Sequence, residues 1–287
     1  MKPLVEKYLE KGFFLSTVLS ASITIFILLF MVVFSLPLFK GGHIVHLLRL
    51  GWDPYHGSFG ILPMVVGTGV IASIALLIAT PFGIGCSALI SIFPQGNFGK
   101  FLRKVVEFMT GAPTVIYGFV AIFLLVPFVR EIFEKGTGMC VLSASMMLAL
   151  LILPTIVLFL SDAFNSVPKG YLDAADALGA TPAQKLIYIV IPSAWSGIIS
   201  GMVLAAGRAV GDTLISLMIA GNALQIPGGL SDSARTLTAH IALIIASDYE
   251  SPEFKSIFVC GLILFAFTAL IVSVLRLLGH FETLRDR

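Results

Sequence analysis

Long apolar windows alternate with short charged segments along this sequence. Windows free of Asp, Glu, Lys and Arg cover residues 12–39, 54–99, 108–129, 136–161, 186–207 and 256–275. A helix needs about 20 apolar residues to cross a bilayer, and it satisfies its own backbone hydrogen bonds there. The pattern therefore predicts six membrane-spanning helices. We place the second span at about 60–92 after an interfacial segment at 51–59, and we expect the fifth to continue past Arg208 to about Ala220.

The composition supports an all-α polytopic membrane protein. Of the 287 residues, 57% are hydrophobic and 12% are charged, which is about half the charge of a soluble domain. Six spans leave no room for a separate soluble catalytic domain. A formal net charge of +2 is too balanced for nucleic-acid binding, which requires a concentrated basic face. Cys86, Cys140 and Cys260 have spacings that match no metal site, so we interpret them as small core residues.

Positive charge is distributed unevenly between the loops on the two sides. One set, which includes both termini, carries eleven Lys and Arg residues, and the other set carries six. Cytoplasmic loops retain the excess of positive charge, so both termini are predicted to be cytoplasmic. We divide the chain into 1–58 with the first span and external loop, 59–279 as the transmembrane core with a cytoplasmic loop at 161–192, and 280–287 as the tail.

Helix breakers are frequent inside the apolar windows. They include Pro37, Pro63, Pro81, Pro113, Pro127 and Pro154. Two interpretations stay open: ordinary kinks, which membrane helices tolerate when neighbours satisfy the backbone, or broken helices that line a cavity which changes shape. Gly197 with Gly201, and Gly207 with Gly211, have the spacing that lets helices approach closely.

The most informative polar segment is the loop 161–192. One face of a predicted helix in this loop carries Tyr171, Ala174, Ala175 and Leu178. Gly179 supplies a stop at the end of that helix. Thr181 and Gln184 then have the spacing of a capping box, which predicts a second helix after a tight turn. Such a loop either docks into a groove on another protein or is a solvated helix without a partner.

The spacing of residues in this loop carries a family resemblance. Asp173-Ala174-Ala175, then Gly179, Ile189 and Ile191-Pro192, resemble the EAA signature of ABC-transporter permease subunits, with Asp in place of the usual Glu and Ile in place of Leu. The resemblance implies a type I ABC importer permease fold in which this loop docks into a cytoplasmic ATPase. The coupling residues it implies are Asp173, Ala174, Ala175, Leu178, Gly179, Ile189 and Pro192. The chain has no G-x-x-x-x-G-K-[ST] loop, so we expect ATP and Mg on partner subunits and no cofactor or catalytic residue here.

Arg208 and Asp212 are charges well inside an apolar span. Their spacing places them on one face of a continuous helix. A charge at the bilayer centre costs about 2.5–3.5 kcal/mol, and a hydrogen bond within the membrane returns only about 0.6–2 kcal/mol, so stability is a poor reason to keep them. A self-neutralising pair and an anion pathway that uses the arginine fork both stay open. An intramembrane protease requires a second carboxylate at this depth, and the sequence offers none.

The residues around this pair also resemble a known subunit. Residues 207–213 read GRAVGDT and are followed by Ala220-Gly221-Asn222, a string similar to the PstC-type permease of phosphate-specific ABC importers, again with Asp in place of Glu. The resemblance implies a substrate pathway at Arg208, Asp212, Thr213 and Asn222 and a place in the inner (cytoplasmic) membrane. It implies as partners a PstA-type sister permease, two ATPase subunits and a periplasmic or lipid-anchored phosphate-binding protein. A permease for sulfate or molybdate and a non-transporting scaffold or sensor remain alternatives.

Two external segments offer weaker signals. His43, His46, Asp53 and His56 could coordinate a metal, but nearby aromatic residues favour an interfacial anchor, and we expect no metal site. The segment 224–255 has an amphipathic run at 234–246. It is either a docking surface for the binding protein or a simple interfacial helix.

Overall fold

The computed structural model describes residues 2–39, 51–53, 56, 58–93, 97–134 and 136–285. The α-helices are Lys2–Phe39, Leu62–Ser91, Asn97–Thr110, Thr114–Val120, Val126–Phe133, Val141–Asn165, Lys169–Ala177, Pro182–Lys185, Ile191–Ser193, Trp195–Gly211, Leu214–Ile219, Leu237–Ile244 and Pro252–Arg285. Two π-helical turns occupy Ala121–Leu125 and Leu186–Val190. A short antiparallel hairpin pairs Trp52–Asp53 with Ser58–Phe59.

The six predicted spans are confirmed. Within the described residues, five helices are long and apolar enough to cross a membrane, and Pro182–Ser193 with Trp195–Gly211 forms a bent pair that supplies a sixth. The second span, Leu62–Ser91, agrees closely with the predicted range. The fourth, Val141–Asn165, begins later than predicted, because Gly136 and Gly138 adopt left-handed backbone conformations before it.

The predicted start of the third span at residue 108 is wrong. Phe108 belongs to a separate helix, Asn97–Thr110, and the span begins at Thr114. Pro113 separates the two, with φ −59° and ψ 138°. Proline lacks a backbone donor and disfavours helix in the residue before it, so the helix breaks at Pro113. The window stays free of charged residues across this break, and hydropathy alone does not reveal it.

The predicted continuity of the fifth span to Ala220 is also wrong. The helix ends at Gly211, Asp212 is extended with φ −71° and ψ 128°, and a separate helix covers Leu214–Ile219. The Asp212 carbonyl accepts a hydrogen bond from Thr238 Oγ1 at 2.8 Å. This contact holds the peptide of Asp212 outside the helical hydrogen-bond ladder, and the span is broken there.

The core forms where the fourth span packs against the second and the fifth. Ser87 Oγ donates to the carbonyl of Val157 across the first of these interfaces, at 3.0 Å. On the fifth span, a Cβ built on Gly197 would lie 2.5 Å from Ala163 Cβ, and one built on Gly201 would lie 3.0 Å from Phe159 Cβ. The close approach predicted from this glycine pair is therefore confirmed. Gly207 and Gly211 have no such neighbour within 4 Å among the described residues.

Prolines act in two ways in this fold. The first, second and fourth spans continue as helix through Pro37, Pro81 and Pro154. In contrast, each π-helical turn ends two residues before a proline: Leu125 precedes Val126-Pro127, and Val190 precedes Ile191-Pro192. A wider turn relieves the crowding between a proline ring and the preceding carbonyls. After the second of these turns, the chain bends by 76° near Ala194.

The external segment after the fifth span is fastened to the ends of other spans. The amide of Val141 donates to the Asp232 carbonyl, and that of Leu142 donates to the Leu230 carbonyl, both at 2.9 Å. The amide of Leu237 donates to Thr68 Oγ1 at 2.9 Å. A Cβ on Gly67 would lie 2.5 Å from the Arg235 carbonyl oxygen, so only glycine allows this approach.

Candidate functional site

A cavity of about 420 Å³ lies at the break in the fifth span. Four elements line it: the start of the third span, the fourth span, the end of the fifth span and the start of the short helix after the break. The lining residues are Thr114, Leu151, Arg208, Gly211, Asp212, Thr213 and Leu214. The structure therefore brings together three of the four residues predicted for the substrate pathway, and we call this space the arginine cavity.

Arg208 is half-buried in the last turn of its helix. One terminal nitrogen, Nη1, donates to Thr155 Oγ1 at 3.1 Å. Among the described residues, no carboxylate lies within 4.0 Å of this guanidinium. The structure therefore does not support the self-neutralising pair with Asp212, because the helix ends between the two side chains. Most of the Arg208 donors have no partner in the described part of the chain and can bind an anion in the cavity.

Asp212 is 9% exposed. Its Oδ2 accepts a hydrogen bond from the amide of Ile215 at 2.9 Å. The N-cap residue of the next helix is Thr213, whose side chain makes no capping bond. Asp212, directly before it, takes over this role, because it satisfies an amide in the first turn that has no partner within the helix. Asp212 thus shapes the cavity wall by starting the helix Leu214–Ile219, and it also places negative charge beside the arginine.

Two threonines contribute to the site and were not predicted. Thr114 lines the cavity at the start of the third span, and Thr155 holds the guanidinium of Arg208. Each follows a proline, Pro113 or Pro154, that the sequence marks as a helix breaker. A hydroxyl directly after such a proline was the available signal.

Asn222 lies elsewhere, in a turn of the external segment. Its φ is +57°, its Nδ2 donates to the Leu217 carbonyl at 2.7 Å, and its own carbonyl accepts from Arg235 Nε at 3.1 Å. These bonds fix the turn, and Asn222 does not line the arginine cavity. Its assignment to the pathway remains a prediction.

The arginine cavity suits a small oxyanion. The arginine offers planar, paired donors that match the spacing of two oxygens on a tetrahedral anion. Hydroxyls of Thr114 and Thr213 add neutral groups that both donate and accept. A charged Asp212 would repel an anion and so limit how tightly the cavity holds it. The arrangement can therefore bind a phosphate-like anion without holding it irreversibly.

A second surface, a groove of about 700 Å³, lies on the loop before the fifth span. The predicted helix face forms one wall. The lining residues are Tyr171, Ala174, Ala175, Leu178, Gly179, Ala180, Gln184, Lys185, Tyr188, Ile189 and Ser193. Five of the seven predicted coupling residues therefore share this coupling groove. Asp173 is exposed outside it, and Pro192 lies in the short helix that precedes the bend.

The local structure of this loop agrees with the prediction. Helix Lys169–Ala177 ends at Leu178, and Gly179 has φ +76°. Thr181 and Gln184 form the predicted capping box at the start of the next helix. Lys185 Nζ bonds Asp176 Oδ1 at 2.6 Å and joins the two helices. Leu178 is 89% exposed at the tip, which leaves a large apolar side chain available for a partner.

The structure describes part of the two external segments that were considered as a metal site and as a docking surface. Asp53 Oδ2 contacts His56 Nδ1 at 2.5 Å, and His43 and His46 lie outside the described residues. The amphipathic run forms the helix Leu237–Ile244, whose first turn is buried, so that turn is not a docking surface. Within it, His240 packs edge-on against Trp52, and burial together with Arg235 lowers the pKa of His240 to about 4.

Comparison with known sequences gives a consistent family. Residues 79–282 match the model described as "Binding-protein-dependent transport system inner membrane component". The chain is 34% identical over 238 residues to the probable ABC transporter permease protein YqgH of Bacillus subtilis strain 168, covering 81% of this chain and 76% of that protein. It is 31% identical over 244 residues to the phosphate transport system permease protein PstC of Mesorhizobium japonicum, covering 78% and 75%.

Solved structures share the fold. A bacterial ABC transporter involved in the import of the acidic polysaccharide alginate aligns with a TM-score of 0.66 at 13% identity, covering 96% of this chain and 98% of that one. The MetNI methionine ABC transporter in an inward-facing conformation aligns with a TM-score of 0.62 at 18% identity, covering 77% and 94%. The predicted type I importer permease fold is confirmed.

Proposed function

Because this chain belongs to the family of binding-protein-dependent transport system inner membrane components, we propose that it is the permease subunit of an ATP-driven importer that carries inorganic phosphate by alternating access. Relatives named as phosphate transport system permease proteins support this choice of substrate. The observation that most directly supports the proposal is the arginine cavity, in which Arg208 has no carboxylate partner among the described residues.

In this proposal, each residue of the arginine cavity has a role in passage. Arg208 is the anion-binding group, and Thr155 restrains one of its terminal nitrogens so that the fork is held in place. Asp212 keeps the cavity open by capping the helix behind it, and its charge limits how tightly an anion is held. Thr213 adds a hydroxyl to the lining. Hydrolysis of ATP takes place on a separate subunit, so none of these residues is catalytic.

The coupling groove is the proposed docking site of a cytoplasmic ATPase. Its exposed tip, Leu178, and the restrained turn at Gly179 would transmit closure of the ATPase to the bend near Ala194. The proposed complex contains a PstA-type sister permease, two ATPase subunits that hold ATP and Mg, and a phosphate-binding protein that is periplasmic or lipid-anchored.

Uptake of radiolabelled phosphate by the reconstituted complex tests the proposal. Arg208→Ala should leave assembly intact and abolish uptake. Arg208→Lys should remain at least about tenfold slower than the native protein, because an ammonium cannot replace the planar fork and one lost charge-assisted hydrogen bond is worth about 1.5–3 kcal/mol. Arg130→Ala, an exposed arginine outside the cavity, is the matched control. Native uptake in the Arg208→Ala variant, or preferential uptake of sulfate or molybdate by the native complex, would overturn the assignment.

A further inference from the structure

The helix Asn97–Thr110, between the second and third spans, carries two apolar stripes. The stripe that packs against the bundle contains Gly99, Leu102, Val106 and Met109. A second stripe with the same spacing is exposed and contains Phe98, Phe101, Val105 and Phe108, with exposed fractions of 63%, 63%, 37% and 80%. At 3.6 residues per turn the two stripes are adjacent, so half of the helix circumference is apolar. The described part of the chain covers only part of that half.

The other half of the helix is basic. Lys100, Arg103 and Lys104 are exposed, and Glu107 is the acid among them. Arg103 Nε bonds Glu107 Oε1 at 2.9 Å, and the terminal nitrogens of Arg103 make no hydrogen bond with any residue in the described part of the chain. The helix therefore has an aromatic side and a cationic side on the cytoplasmic face of the protein.

A small cavity opens beside the basic residues. It has a volume of about 190 Å³, and its lining includes Gly99, Lys100, Arg103 and Asn165. A Cβ on Gly99 would lie 3.1 Å from the Leu89 carbonyl oxygen, so the helix packs closely against the second span here. Asn165, the last residue of the fourth span, adds an amide that can donate to an anion. The cavity is thus a cationic recess next to an aromatic stripe.

We propose that this helix lies in the cytoplasmic interface of the membrane and binds an anionic phospholipid. The phenylalanines enter the acyl-chain region, and Lys100, Arg103 and Asn165 surround the headgroup phosphate. This chemistry matches the cytoplasmic leaflet, whose anionic lipids attract basic segments.

The position of Lys104 favours a lipid over a protein as the occupant. Lys104 lies three residues after Phe101 and four before Phe108, so it borders the aromatic stripe. A protein surface that covered the stripe would also remove water from this ammonium, which is costly without a carboxylate partner. A lipid covers the rings and leaves the ammonium among the headgroups, where long basic side chains are stable.

Native mass spectrometry of the complex, purified with the subunits that accompany this chain, tests the proposal. Phosphatidylglycerol and phosphatidylcholine are added separately, and bound lipid is counted. The native complex should retain phosphatidylglycerol in preference to phosphatidylcholine. The double variant Lys100→Gln with Arg103→Gln should bind phosphatidylglycerol about 25-fold more weakly, at about fivefold for each basic residue. Arg130→Gln with Lys255→Gln removes the same charge on the external side and should bind like the native complex.

Two further measurements distinguish a bound lipid headgroup from bound inorganic phosphate. Phe101→Ser with Phe108→Ser keeps every charge and should also weaken phosphatidylglycerol binding, because the acyl chains lose their contact. An excess of inorganic phosphate should not displace the lipid. Displacement by inorganic phosphate would show a site for the free anion and overturn the proposal. Equal lipid binding by the Lys100→Gln with Arg103→Gln variant and its control, as expected if another subunit covers the helix, would overturn it as well.

Discussion

Substitutions of Asp212 can separate its structural role from its role in transport. The side chain accepts the amide of Ile215 at 2.9 Å, and Ile215 is fully buried. Asp212→Ala removes this acceptor and leaves a buried amide without a partner. Loss of a cap costs about 0.5–2 kcal/mol, and an unsatisfied buried donor costs about 1–3 kcal/mol. We therefore expect the alanine variant to lose about 1–3 kcal/mol of stability.

Asp212→Asn keeps an acceptor at the same position, and asparagine caps helices as well as aspartate does. Its stability should lie within about 0.5 kcal/mol of the native value, while the charge beside Arg208 is gone. Without the repulsive carboxylate, an anion is held longer in the cavity. The asparagine variant should therefore transport phosphate more slowly at normal stability, whereas the alanine variant should show both defects.

The assay combines heating of the detergent-solubilised complex, followed by size-exclusion chromatography, with phosphate uptake in proteoliposomes. Asp248→Ala is the control, because Asp248 accepts an exposed amide at 3.3 Å and an exposed position tolerates the change. An alanine variant as stable as the native protein would refute the capping argument. An asparagine variant with native uptake would show that the charge of Asp212 is not needed for passage.

Three other positions give independent predictions. Gly179→Val places a branched residue at φ +76°, which costs about 1–2 kcal/mol, and should reduce co-purification of the ATPase. Gly201→Val meets Phe159 and Leu160 within 3.0 Å of its Cβ and should lower thermal stability by about 1–3 kcal/mol. His240 is neutral when folded, with a pKa of about 4 against 6.5 when unfolded. The unfolded state binds the proton first, so stability should fall by up to about 3 kcal/mol as pH decreases from 6.5 to 4.

Each of these predictions has a matched control. Gly170→Val lies in the same loop with open space around it, and Gly69→Val lies on the second span with no neighbour within 4 Å in the described part of the chain; both should behave like the native protein. His240→Gln should remove the part of the acid sensitivity that His240 contributes. ATPase retention with Gly179→Val, or an unchanged pH profile with His240→Gln, would contradict the corresponding argument.

Local sequence chemistry was sufficient to predict the coupling loop. The stop at Gly179 and the capping box of Thr181 with Gln184 depend on residues within a few positions of one another, and the structure contains both. The six spans were predictable for the same reason, since hydropathy is a property of each window by itself. The start of the third span was missed because Pro113 interrupts the helix without adding a charge.

The break at Asp212 could not be predicted from local sequence. It depends on Thr238, which lies 26 residues further along the chain. The turn at Asn222 likewise depends on Arg235. A continuous helix was therefore the natural expectation for 186–220, and the spacing of Arg208 and Asp212 suggested a direct pair. Packing between spans also determined which threonine reached the guanidinium, so the cavity emerged only in three dimensions.

The hydrogen bonds that fasten the external segment restrain the outer end of the protein more than its inner end. On the outer side, hydrogen bonds donated by the amides of Val141, Leu142 and Leu237 join the ends of three spans into one block. On the inner side, the fifth span rests on a π-helical turn and a 76° bend. A force applied by a cytoplasmic partner would swing the inner arm of that span and leave the outer block at rest. In an importer, the bent inner part of the span then faces the ATPase, and the hydrogen-bonded outer block faces the binding protein that delivers the substrate.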